Sequence, residues 1–437
     1  MYLFATALAL SNLYGTQPAY PPPGYEIVDV LSMEIQMGVP SMNDCGQIVF
    51  TVSQNEYDTN DIIKYDNGMI IQITNNTVRE ALPRINNTEA ITWTEGDDIG
   101  FCVGTIVLYE NDALTYIADG TISDINDSGD IVYESCISQG CECKMEIVFY
   151  DGADLAPLTN EGYWNFTPRI NNDGDAVWTQ YDFDSSPATA VVMLWSGGKL
   201  IELTEPENNA RAPSINSVGQ VVWNNDDGFD LWKDGDVEQI TDWGFASAIN
   251  DFGQIHFARW HDEIPAWQTW LYWNGDFYRL SEDQYWNIQG DINNYGEVVW
   301  EWFDNFDLQP SGVRMLRRIR NGDVDFDDDV DLADHHALPG CMTGPGDFDR
   351  LCDCRFYDMG HDRDVDLADF ALFQNAFGVP IVWPEPPHNC CDTDHGPGCS
   401  NPEIESCVCE AAPVCCDSDW DDYCVFILDA LSCGDCP

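Results

Sequence analysis

INNDGDAVW (170–178) decides the fold, because the chain repeats it. The pattern I-N-x-x-G-x-[VI]-V-aromatic begins at Met42, Ile85, Ile125, Ile170, Ile215, Ile249 and Ile292, in steps of 43, 40, 45, 45, 34 and 43 residues. Asn holds the second place in all seven copies. Gly holds the fifth in six, with Glu89 in the other. The ninth place is always aromatic: Phe50, Trp93, Tyr133, Trp178, Trp223, Phe257 and Trp300. Apolar, mostly β-branched residues on either side of a short Asn/Gly segment spell a hairpin, since Asn and Gly tolerate the left-handed backbone of tight turns. A second hairpin follows each motif, as in LWSGGKLIELT (194–204) and LWKDGDVEQIT (231–241), with Tyr65, Trp195, Trp232 or Tyr272 three residues before its glycine.

Four short strands in each unit of about 40–45 residues are the signature of a β-propeller blade. The expected fold is mainly β, a seven-bladed β-propeller over 25–318. Across roughly 25–319 the repeat resembles TolB-type and related secreted bacterial propellers, a resemblance of architecture that carries no activity. The seventh unit contains VRML (313–316) but lacks an outer strand. YEIVDV (25–30) is expected to supply it, closing the ring and removing unpaired sheet edges.

The charge balance narrows the partners. In 437 residues, 77 acids face 17 bases, only four of them Lys, for a formal charge of −60. Such a field repels phosphate, which excludes sequence-independent nucleic-acid binding and anionic membranes. Sixteen Trp, 18 Tyr and 20 Phe supply too much core material for a disordered acidic chain. No stretch is long and apolar enough for a transmembrane span. The short run YLFATALAL (2–10), followed by small residues but with no basic start, reads as a truncated secretory signal peptide over 1–19. Ten of the 18 cysteines fall in 390–437, after the proline linker PIVWPEPPH (380–388). The Cys-rich module, 389–437, reads as a small disulfide-rich domain of unreadable connectivity and so as an extracellular one. The alternative is zinc held by Cys407, Cys409, Cys433, Cys436 and His395.

Between propeller and linker lie two acidic loops. DVDFDDDVDLAD (323–334) places Asp323, Asp325, Asp327, Asp331 and Asp334 at positions 1, 3, 5, 9 and 12 of an EF-hand loop, with the Asp329 carbonyl at position 7. DMGHDRDVDLAD (358–369) offers Asp358, Asp362, Asp366 and Asp369, with Asp364 at position 7. It departs at position 3, where Gly360 leaves room for a water. Both loops also lack the usual position-6 Gly, having Asp328 and Arg363. Two Ca²⁺ ions are expected, with a helix after each loop and Phe370, Phe373 and Phe377 on one apolar face of the second. Cys341 is free to pair with Cys352 or Cys354. The duplicated string DVDLAD makes 319–379 resemble a type I dockerin, a small α-helical calcium module. That resemblance implies calcium-dependent docking on a cohesin-like protein partner and a link to polysaccharide breakdown. The partner-reading pair, here Leu332–Ala333 and Leu367–Ala368, departs from the usual hydroxylated residues. Secreted planctomycete proteins with an acidic dockerin-like pair, a large repeat domain and a Cys-rich tail look similar.

The chain has no G-x-S-x-G and no H-E-x-x-H. His256 and His261 are candidates for a metal-assisted lyase site, but a strand and a loop position explain them more simply. The expected function is an extracellular, non-catalytic binding or scaffold protein. The propeller would offer the binding face, a polysaccharide is a possible ligand, and the calcium module would attach it to an assembly or surface. The alternative is a secreted carbohydrate-active enzyme, a glycoside hydrolase or polysaccharide lyase carried by the propeller. Convergent His, Arg and carboxylates at the propeller mouth would favour the enzyme; a mouth plugged by Val and aromatics would favour binding.

Overall fold

The inner edge of every blade is set by its I-N-x-x-G turn. In the computed structural model the fifth-place N–H donates to the Asn carbonyl, as Gly174 does to Asn171 at 3.1 Å and Gly219 to Asn216 at 3.1 Å. Such a turn favours Asn at its first place and Gly at its fourth. The glycine carries the left-handed backbone, with φ +80° at Gly174 and +81° at Gly219, and Glu89 takes φ +66° in the copy without one. The asparagines do not share that role, contrary to expectation: none of the seven has a positive φ.

Their side chains explain the repeat instead. Asn171 Oδ1 accepts from Asp173 N at 3.1 Å and Asp175 N at 2.9 Å, fixing its own turn. Its Nδ2 donates to the carbonyl of Asn216, the equivalent residue in the next blade, at 3.0 Å. The same bond runs from Asn43 to Asn86, Asn86 to Asn126, Asn126 to Asn171, Asn216 to Asn250, Asn250 to Asn293, and from Asn293 back to Asn43. These seven amide–carbonyl bonds, 2.8–3.2 Å long, form a closed circle of buried side chains.

Around the circle stand seven four-stranded antiparallel sheets, blades 1 to 7 in chain order. The last is completed by the N-terminal strand. Tyr25–Met33 pairs with Ser311–Arg318 in a register from Tyr25↔Arg318 to Met33↔Ser311, with a bulge between Asp29 and Leu31. Arg317 Nε donates to Glu26 at 2.8 Å and Arg314 Nε to Asp29 at 2.8 Å, tying the seam from the side. The ninth-place aromatics are buried between neighbouring sheets. Trp93, for example, packs with Ile85, Ile91 and Val107 of blade 2 against Val49 and Ile62 of blade 1. Each such side chain contributes on the order of 2–3 kcal/mol by burial.

The tenth place bolts four of the blades to the next. Thr94 Oγ1 donates to Thr121 O at 2.7 Å, Thr179 Oγ1 accepts from Ala212 N at 2.9 Å, and Asn224 makes two bonds to Ala246. Glu134 accepts from Thr167 N at 2.7 Å, and burial pushes its carboxyl up to about 7. Glu301 makes no hydrogen bond among the described residues, and burial alone pushes it up to about 8.

The structure describes residues 21–22, 24–33, 37–53, 60–98, 103–136, 144–159, 162–185, 188–261, 264–304 and 311–319, then 322–324, 330–336, 338–342, 352–360, 362 and 364–378, and finally 407–409, 411–412, 415, 424–425, 427–428 and 433. Tyr25–Ile381 form one compact unit, and Met1–Gly24 with Val382–Pro437 a second. In the first, a 3₁₀ turn (Asp334–His336) and the one-turn helix α1 (Leu338–Cys341) follow the first acidic loop. A full helix was expected there, but Pro339 and Gly340 are poor helix residues beyond its first turn. Helix α2 (Leu367–Ala376) follows the second loop. Phe373 is buried with Val330, Leu338, Tyr357 and Val365, and Phe370 is partly buried beside them. Phe377 lies past the helix end and is 43% exposed. Cys341 pairs with Cys354. In the second unit Cys407 pairs with Cys433 and Cys415 with Cys424. Cys409 is also disulfide-bonded, so the zinc set is not what these thiols form; His395 and Cys436 lie outside the described residues. Among the described residues no helix is long and apolar enough to cross a membrane.

Three outcomes follow from this architecture. A chain starting at Ser32 should melt below one starting at Tyr25, because seven of the nine residues of the closing strand are gone. Asn171→Ala should cost about 1–3 kcal/mol in denaturant unfolding, since it leaves two turn amides without their acceptor and strips the Asn216 carbonyl of one of its two donors. Glu301 titrates from 4.5 when unfolded to about 8 when folded, so the folded state holds a proton that the unfolded state releases between those values. Its contribution is intact below the lower value and lost as pH rises through the upper. Glu301→Gln should therefore raise the melting temperature at pH 9 more than at pH 5.

Candidate functional site

An antiparallel four-strand meander puts the first and third turns of every blade on one face of the propeller, the turn face, and the other connections on the opposite loop face. The calcium-loop residues predicted from sequence lie beside the turn face. Asp325, Asp327 and Asp329 lie outside the described residues. Asp323 and Asp334 are buried, and Asp331 is exposed. Asp334 accepts from Val324 N at 2.5 Å and Asp331 N at 2.7 Å, while Asp331 Oδ1 accepts from Ala333 N at 2.6 Å.

The second loop repeats this geometry. Asp369 accepts from Gly360 N at 2.8 Å and Asp366 N at 2.9 Å, and Asp366 Oδ1 from Ala368 N at 2.6 Å. Asp366 and Asp369 thus form the capping box of α2, so the acids at positions 9 and 12 start the helix as well as facing the loop. All five second-loop acids converge. Asp358, Asp362 and Asp369 make one group and Asp364, Asp366 and Asp369 another, with one oxygen per residue within 4.8 Å of the others in its group. Asp364 was expected to offer only its carbonyl, yet its carboxylate belongs to the second group. An all-oxygen donor set of this kind suits a hard divalent cation. A Cβ at Gly360 would stand 3.2 Å from Asp369 Oδ1, so an added side chain there crowds the helix-capping carboxylate.

The propeller mouth on the turn face is ringed by the residues after the asparagines: Asp44, Asn87, Asp127, Asn172, Ser217, Asp251 and Asn294. Amide and carboxylate alternate except at Ser217. Asn87 Nδ2 bridges Asp44 at 2.9 Å and Asp127 at 3.0 Å. Asn294 Nδ2 bridges Asp251 at 3.0 Å and Asp44 at 3.3 Å. Burial pushes the Asp44 carboxyl up despite these donors. The residues before four of the seven I-N pairs add a charged group: Arg84, Asp124, Arg169 and Asp291. Arg84 lies 3.8 Å from Asp124 and 3.7 Å from Asp291, and Ser41 donates to Asp291 at 2.9 Å. Burial pulls the Arg169 guanidinium down to about 10, with Arg84 adding to the effect. Two cations and two anions balance within this group, while Asp44, Asp127 and Asp251 leave the rim acidic, so the mouth is not an apolar plug. The repeat alignment holds this column, but its signal is visible only once the position before each I-N is compared.

His256 and His261 do not converge on a site. His256 is fully buried, bonded through Nε2 to Thr269 Oγ1, and burial pulls it down to about 4, so it is neutral. His261 Nε2 takes a bond from Arg279 at 3.0 Å at the end of its strand.

The loop face carries what the sequence reading missed. Phe245 packs on Trp267 at 5.0 Å between centroids, Trp267 on Trp260 at 5.7 Å, Trp260 on Trp286 at 6.3 Å, and Trp286 on Phe303 at 6.0 Å. This aromatic band crosses blades 6 and 7, and Trp260 is 39% exposed. At its Phe245 end opens a cavity of about 550 Å³ lined by Arg211, Asn225, Asp226, Asp227, Asp242 and Trp243, among others. Arg211 is committed to Asp226 at 3.0 Å. These residues stand outside the repeated positions, so periodicity gives no signal for them.

No family model and no curated protein matches the chain. Among solved structures it is similar to the β-propeller domain of the Trilobed protease from Pyrococcus furiosus, at 11% identity over 62% of this chain and 93% of that one, with a TM-score of 0.47. It is also similar to Pyrococcus horikoshii acylaminoacyl peptidase (10%, 65% of this chain and 52% of that, TM-score 0.49) and to TolB from Acinetobacter baumannii (16%, 47% and 54%, TM-score 0.37). It spans about half the length of the latter two. At these identities the likeness concerns fold alone.

Calorimetric titration with calcium tests the expected second-loop site: the full chain should bind there, and Asp358→Ala should weaken that binding about tenfold or more. Helix content should change little in calcium, because the Asp366–Asp369 capping box is untouched.

Proposed function

We propose that this chain is an extracellular, non-catalytic binding protein whose propeller takes a polysaccharide on its loop face. A calcium-loaded dockerin-like module would attach it to a protein partner. The observation that carries the reading is the aromatic band beside an open polar cavity. Flat aromatic faces stack on the apolar faces of sugar rings, while carboxylates and amides at the rim bond hydroxyls. The cavity has three acids to one base, and that base is paired, so neutral or amine-bearing sugars suit it and uronates do not. For the module, Leu332 and Leu367 hold the same place in the two DVDLAD strings, and each is 74% exposed. That symmetry supports an apolar partner contact, and two Ca²⁺ ions would order the loops that present it.

A second reading, a hydrolase or lyase, rests on the Arg84, Asp124, Arg169 and Asp291 group in the mouth. One experiment separates the two: a polysaccharide array with calcium, read for retention and for released product. Retention without product is expected. Trp260→Ala with Trp267→Ala should weaken it at least about tenfold, the equivalent of about 1.4 kcal/mol. Product release that survives these changes and disappears with Arg169→Gln would replace the binding reading by the enzymatic one.

A further inference from the structure

The sixth place of the repeat holds the side chain beside each ring asparagine. It is Gln47, Gln220 and Gln254 in three blades, each accepting from its Asn Nδ2 at 2.6–2.8 Å. Blade 7 has Glu297 there, making the same bond to Asn293 at 2.8 Å. Glu297 is 2% exposed, and a lone carboxylate in such a place is costly. Its partner comes from the calcium module: Arg355 Nη2 donates to Glu297 Oε2 at 2.6 Å.

Arg355 is seated, not merely nearby. Its guanidinium lies 5.1 Å from the Tyr295 ring centre and 4.6 Å from that of Phe356, and those two rings pack at 4.8 Å. A Cβ at Gly46, in the turn of blade 1, would fall 2.1 Å from Arg355 Nη1. The same Glu297 accepts through Oε1 from Arg318 N at 3.2 Å, and Tyr295 O accepts from Tyr25 OH at 2.7 Å. Arg318 and Tyr25 are register partners where the N-terminal strand closes the ring. Three residues beyond Arg355, Asp358 opens the second acidic loop. Its Oδ1 accepts from Asp362 N at 3.0 Å and its Oδ2 from Asn67 Nδ2, in the outer turn of blade 1, at 3.3 Å.

We infer that the docking surface of this module's Arg355 side is the closure seam of its own propeller, so that a divalent cation in the second loop locks the ring between blades 7 and 1. The inference rests on the calcium reading of that loop. Without a cation its five carboxylates repel and the segment after Arg355 loosens. With one, Asp358 is fixed, and Arg355 is held against Glu297 and Tyr295. Coupling of this kind is reciprocal: docking must raise cation affinity as much as the cation favours docking.

The test uses the full chain, calcium chloride and EDTA. Fourteen of the 16 tryptophans lie between residues 93 and 302, so tryptophan fluorescence reports melting of the propeller. Calcium should raise that melting temperature by an amount on the order of 2–4 °C. Glu297→Gln restores the residue of three other blades and should melt no lower than the parent in EDTA. It should lose most of the calcium shift and bind calcium several-fold more weakly at the second loop by calorimetry. The double variant Glu297→Gln with Arg355→Gln should behave alike. Calcium binding with no propeller shift, or an equal shift in parent and Glu297→Gln, would overturn the coupling alone. No calcium binding at all would overturn the metal reading and the coupling with it.

Discussion

The amide-to-carbonyl circle through Asn43, Asn86, Asn126, Asn171, Asn216, Asn250 and Asn293 is the constraint on which the remaining architecture depends. Each asparagine uses its oxygen to fix its own turn and its nitrogen to hold the next one. Asp has no donor for the second task, and Gln is one methylene too long to serve the first at the same turn. A blade therefore receives its inner geometry from both neighbours. The circle has no free end: its last bond, Asn293 to Asn43, joins blade 7, which the N-terminal strand completes, to blade 1. This differs from an open repeat array, whose units contribute stability one after another.

The ring also separates the two faces. On the turn face the side chains are spent on one another: alternating Asp and Asn at the mouth, a balanced Arg–Asp group behind them, and Arg355 of the two-loop acidic segment seated over the turns of blades 7 and 1. On the loop face the connections vary in length and composition, and there the aromatic band and open cavity lie. A rigid, self-satisfied hub with variable loops on the far side is a sound platform for recognition.

Much of this was legible in the sequence, for physical reasons. Seven nine-residue copies gave the blades, and the missing outer strand of the seventh gave the closure by 25–30. Backbone propensity points to a left-handed asparagine at the turn, whereas the structure fixes that asparagine by a side-chain bond to another blade. Long-range bonds of this sort have no local signature. The converging acids of 358–369 were legible from spacing, since a twelve-residue loop brings its own ends together. The helix expected after the first loop is only one turn long, because Pro339 and Gly340 are poor helix residues beyond that turn. Arg355 and Glu297 were invisible, for 58 residues of chain separate them.

The central claim is that the asparagine circle makes the seven blades one cooperative body, and native-state hydrogen exchange measures this most directly. The amides of Gln47, Ala90, Asp130, Asp175, Gln220, Gln254 and Glu297 each donate to a ring asparagine. In low denaturant all seven should exchange with one common free energy, equal to that of global unfolding. Exchange in sequence, blade by blade with distinct free energies, would contradict the account.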